Sequence, residues 1–189
     1  WEKLGDKVNT TFWGTSKCIT EPDYLRELDY VMDYTPYSMI LFNNGLHSLV
    51  TPCEEWKNAC RKTLAFIRGK QPGVPVSLVL STPLKDPVKT DQVQTLNRIM
   101  LQLAGELKLS TVDLFAPMNV LDREIFWSDV YHFKQEAKEI QAEILIAHIL
   151  ECLGIGVARE KLHQLGTETG PDGSLGSVVN SFKSKRQCI

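Results

Sequence analysis

The sequence predicts an α/β protein, a three-layer α/β/α sandwich on a mostly parallel sheet. Compact apolar runs, "SMILF" at 38–42 and "PVSLVL" at 75–80, alternate with longer segments of helical periodicity. Strands separated by helices imply right-handed crossovers, a parallel sheet and helices on both faces. Strands without polar alternation fit burial on both sides.

Each element has its own signal. "KVNTTFW" (7–13) reads as a strand, followed by the turn-prone "GTS". "PDYLRELDYVM" (22–32) places Leu25, Leu28, Val31 and Met32 on one stripe of a helix. "SMILF" is a strand ending at Asn43-Asn44-Gly45. In 51–70, Thr51 is the expected N-cap, Pro52 the first helical residue, Glu54 the partner in a capping box, and Gly69 the stop. Trp56, Ala59, Cys60, Leu64 and Ile67 form that helix's apolar stripe. "PVSLVL" is the clearest strand and halts at Pro83. A helix over 90–108 turns Val93, Leu96, Ile99, Met100, Leu103, Ala104 and Leu107 inward. "STVDLF" (110–115) is a further strand, and 133–154 a long last helix with Gly154 past its end.

The chain's 189 residues suit one domain over 1–154, a helical extension over 155–165 and a flexible tail over 166–189. The tail is expected because "GTETGPDGSLGS" lacks any apolar stripe and "KSKRQ" cannot pack. A net charge of −2 argues against a nucleic-acid groove or an anionic membrane surface as the main partner. The longest apolar candidate, "ILIAHILECLGIGVA", carries His148 and Glu151 and falls short of the roughly 20 residues of a membrane helix. Five irregularly spaced cysteines suggest no metal site, and no cofactor is expected. Free thiols in a reducing compartment and a Cys18 disulfide to Cys53 or Cys60 in a secreted protein both stay open.

In such a sheet, functional groups gather in loops at the carboxyl ends of strands. Three such loops hold unusual residues: "FNNGLHS", "STP" and "WSDVYHF". In the last, Asp129 and His132 are three apart, close enough for the carboxylate to hold Nδ1 and leave Nε2 as a base. The plainer alternative is an Asp capping the last helix beside a surface His. The "NNG" corner presents amide donors suited to a developing oxyanion, or is simply a polar turn. His47 suits a supporting hydrogen bond better than the role of base.

Taken together, these stretches resemble the SGNH (GDSL-type) hydrolase family, over roughly residues 1–154. "MILFNNGLHSL" resembles the family's third block, "VSLVLSTPL" the strand after it, "LNRIMLQLAGELKLSTVDLFAPM" the helix and strand before the last block, and "DVYHF" the Asp-x-x-His block. The resemblance implies an SGNH/flavodoxin-like fold and an ester hydrolase of short acyl or carbohydrate esters. His132 would be its general base and Asp129 the residue that orients it. It makes Asn44, Gly45 and Gly14 the oxyanion-hole candidates, and sets His47 where most members carry the oxyanion Asn.

The family's Gly-Asp-Ser nucleophile block is not found. Gly5-Asp6 is followed by Lys7, and only four residues precede it. The expectation is a fragment that begins inside its first helix, with a strand and nucleophile roughly 25 residues upstream. The alternative is a catalytically inactive module of the same scaffold that binds a carbohydrate or a protein partner.

Overall fold

Three short strands, β1 (Ile40–Phe42), β2 (Val76–Val79) and β3 (Ser110–Val112), form a parallel sheet in the order β1-β2-β3. The computed structural model describes residues 4–155. Leu41 pairs with Ser77, and Leu78 with Thr111, so β2 is bonded on both sides.

Six α-helices lie among the described residues: α1 (Tyr24–Met32), α2 (Cys53–Lys70), α3 (Pro87–Leu107), α4 (Phe115–Asn119), α5 (Arg123–Phe126) and α6 (Gln135–Cys152). Side chains alternate across a strand. Ile40, Phe42, Val76 and Leu78 therefore meet Leu28, Trp56, Leu64, Met100 and Leu103 of α1–α3 on one face. Leu41, Val79 and Val112 meet Ile144 and Leu145 of α6 on the other. Burying a large apolar side chain contributes about 1.5–3 kcal/mol, so these two faces dominate the stability. A separate cluster of Met118, Leu121, Trp127, Phe133 and Ala137 lies under the α4–α5 segment.

The predicted strand at 7–13 is absent: residues 8–15 form no ladder. Thr10, Thr11 and Phe12 face solvent, so the segment has no apolar face to bury. Only Trp13 is anchored in packing, edge-to-face on Tyr24 with centroids 5.4 Å apart. The strand expected over 110–115 stops at Val112, because Asp113 Oδ1 accepts the N–H groups of Phe115 and Ala116 and starts α4.

The capping box of α2 does not form. Pro52 is the N-cap and no side chain caps the helix. The Thr51 hydroxyl instead lies 3.1 Å from Cys18 Sγ. Gly69 lies within α2, which ends one residue later; Gln71 then ties the end down by donating Nε2–H to the carbonyls of Met32 and Thr35.

The chain divides into two units, Trp1–Leu153 and Gly154–Ile189. The expected helical extension and tail belong to the second and lie, but for residue 155, outside the described residues.

Candidate active site

β1 is followed by Asn43, whose side-chain Nδ2 donates to Val79 O (2.6 Å) and Ser81 Oγ (3.0 Å). That amide ties the end of one strand to the end of the next. Ser81 is itself fixed by α3. Its N–H donates to Asn97 Oδ1, and its carbonyl accepts from Asn97 Nδ2, both at 2.8 Å.

Gly45 packs against this serine. A Cβ at position 45 would lie 1.9 Å from Ser81 Oγ. Its φ of −96° suits any residue, so close approach rather than backbone freedom requires the glycine.

Asn44 is buried and its amide is engaged. Oδ1 accepts from the Ile19 N–H and the Ser48 hydroxyl, and Nδ2 donates to Lys17 O. The Asn44 carbonyl accepts the indole N–H of Trp56. Asn44 therefore fastens segment 17–19 and α2 to the end of β1. Gly14, in the loop before that segment, is exposed and abuts the Phe12 ring. His47 is also exposed, on the 3-10 turn Leu46–Ser48, and makes no hydrogen bond to another described side chain.

The 127–133 segment closes as a small antiparallel hairpin. Trp127 bridges to Phe133, their rings 4.3 Å apart over the third cluster. At its tip, Asp129 Oδ1 accepts the N–H groups of Tyr131 and His132, both at 2.8 Å. Oδ2 lies 2.8 Å from His132 Nδ1. An ionised carboxylate only accepts, so Nδ1 carries a hydrogen, and in the neutral ring the lone pair is then on Nε2.

The Asp129 carboxyl is held down at about 2 by the Tyr131 N–H first, then the His132 ring and the His132 N–H. The last helix is not capped by Asp129; its N-cap is Lys134. The side chains of His132 and Asp129 are 73% and 54% exposed, so the pair orients the ring more than it stabilises the fold.

The loop after β2 touches both regions. Ser81, at its start, packs on Gly45, and the Lys85 N–H donates to Val130 O at 3.0 Å. The Gly45 corner and the Asp129–His132 tip are thus each bonded to the connection that leaves the carboxyl end of β2. Lys89, in the first turn of α3, lies over the Tyr131 ring at 5.4 Å from its centroid.

Two features escaped the sequence reading. One is the Asn97–Ser81 clasp. The other is Cys18, whose Sγ lies 3.1–3.3 Å from the hydroxyls of Thr20, Ser48 and Thr51. Burial pushes that thiol up, but the hydroxyls of Ser48, Thr20 and Thr51 outweigh it and the net shift is downward. The clasp and the Ser48 and Thr51 contacts have no local signature, because their partners are 16, 30 and 33 residues apart.

No protein-family model matches the chain. No curated protein matches its sequence significantly. Solved structures match its fold. A GDSL-like lipase from Bacteroides thetaiotaomicron shares 16% identity, with 72% of this chain and 73% of that one covered and a TM-score of 0.60. A member of the lipolytic protein G-D-S-L family from Veillonella parvula shares 14%, covering 77% and 82%, with a TM-score of 0.65. An acetylxylan esterase from Geobacillus stearothermophilus shares 14%, covering 75% and 70%, with a TM-score of 0.57. The chain therefore shares the fold of these GDSL-type lipases and of this acetylxylan esterase, the fold that the sequence resemblance implied.

Proposed function

We propose that the protein is an ester hydrolase of the Ser-His-Asp type of which this chain holds the His-Asp half, with His132 as general base and Asp129 as its orienting carboxylate. One observation carries the reading: Asp129 Oδ2 lies 2.8 Å from Nδ1 of an exposed imidazole, which directs the basic lone pair to Nε2. The esterases and lipases that share the fold support it.

In this reaction Nε2 takes the proton of a nucleophilic hydroxyl as that oxygen attacks the ester carbonyl. The imidazolium is stabilised by Asp129 and then protonates the leaving alcohol. Water repeats the sequence on the acyl-enzyme. The tetrahedral oxyanion is assigned to backbone N–H groups at Asn44 and Gly45, with Gly14 as a further donor. The Asn44 side chain already makes three hydrogen bonds, so its main chain is the better donor. The substrate class is short acyl or carbohydrate esters; an acetylxylan esterase among the matching structures favours the latter.

A second reading, a non-catalytic binding module on the same scaffold, is favoured by one fact. Among the described residues, the His132 ring is hydrogen-bonded only to Asp129, and no serine hydroxyl meets Nε2.

Turnover of a short-chain aryl acetate by the full-length protein, with and without His132→Ala, tests the first reading. Hydrolysis that the substitution abolishes is the expected result. Equal turnover by the variant removes His132 from the mechanism. A wild-type chain without turnover that binds acetylated xylo-oligosaccharide supports the binding module.

A further inference from the structure

A second group of polar side chains lies where α6 crosses the sheet. Ser77 of β2 is fully buried, and its hydroxyl lies 2.9 Å from His148 Nε2. The same hydroxyl is hydrogen-bonded to Ser110 of β3. One turn further along α6, Cys152 places Sγ 3.5 Å from that Nε2. Residues four apart stack on one helix face. The thiol is exposed and the imidazole half-buried, so both can be reached from solvent.

We propose that His148 and Cys152 form an open chelate for a zinc-class divalent ion, with Ser77 Oγ on its inner side. In a tetrahedral zinc site, bonds of about 2.0 Å to nitrogen and 2.3 Å to sulfur set the two ligand atoms roughly 3.5 Å apart. The Sγ–Nε2 separation of 3.5 Å equals that edge, and an ion bound there takes the Nε2 lone pair from the Ser77 hydroxyl, 2.9 Å away. A thiolate with an imidazole selects zinc-class ions over magnesium or calcium. The nearby Glu151 carboxylate adds negative charge that favours a cation. As the metal–sulfur bond forms, the S–H bond breaks and its proton leaves to solvent. Among the described residues no third His, Cys, Asp or Glu joins the pair, so water completes the coordination and binding is weaker than in closed sites.

The test is alkylation of the reduced full chain by iodoacetamide, read peptide by peptide by mass spectrometry. Zn2+ should slow alkylation of Cys152 about tenfold or more, Mg2+ should not, and the exposed Cys53 should be unaffected. His148→Gln, which keeps a hydrogen-bonding group for Ser77, should remove the protection with an unchanged far-UV spectrum. Unprotected Cys152 in the wild type, or equal protection in His148→Gln, overturns the proposal. As a second measurement, Cys152→Ser at the exposed helix surface should weaken Zn2+ binding about tenfold or more in competition with a chromophoric chelator. Unchanged affinity overturns the site as well.

Discussion

At Asp129, Oδ1 accepts two backbone N–H groups while Oδ2 holds the His132 ring, so turn formation and ring orientation share one carboxylate. Asp129→Asn separates the two. An amide oxygen still accepts the N–H groups but cannot stabilise an imidazolium, so kcat should fall on the order of 10⁴-fold while the urea midpoint hardly moves. Because the folded carboxyl titrates at about 2, the turn's contribution is complete above the unfolded value of about 3.9. It is lost as pH falls through about 2, and a carboxyl carbon NMR titration of Asp129 should show that low midpoint. Gly45 is the other constrained residue. Gly45→Ala forces a Cβ onto Ser81 Oγ and should destabilise the fold by about 1–3 kcal/mol in chemical denaturation.

At the scale of elements, α3 does more than cover the sheet. Through Asn97 it satisfies both backbone groups of buried Ser81 and so sets where the loop after β2 departs. Asn97→Ala would leave that N–H and carbonyl buried without partners. A loss of about 3 kcal/mol, read from the urea transition, is expected. The stripes of α2 and α3 were legible because i, i+3 and i+4 spacing is local. Trp56, Cys60, Leu64, Ile67, Val93, Leu96, Met100 and Leu103 are buried as their periodicity predicts. The start of α3 was legible only in part. Asp86 accepts from the N–H groups of Val88 and Lys89 and begins the helix at Pro87, three residues before the expected start. The cap of α2 was misread because Thr51 turns to Cys18, 33 residues earlier.

Across the whole molecule, β2 is the strand bonded on both sides and the one whose four residues are all buried. Amides of Val76–Val79 should therefore exchange with solvent deuterium more slowly than those of β1 or β3; equal protection would mean the sheet opens as a unit. The sequence by itself determined the α/β class, the three central strands, the four long helices and the Asp129–His132 couple. All of these follow from periodicity or from groups a few residues apart. Tertiary structure decided the rest. "KVNTTFW" has strand-forming residues but joins no ladder, because a strand exists only where another chain segment accepts its hydrogen bonds. Asn44 became a buried fastener, and Gly45 a point of close approach, through partners at Lys17, Ile19 and Ser81. Such contacts join residues distant along the chain, so no local spacing encodes them.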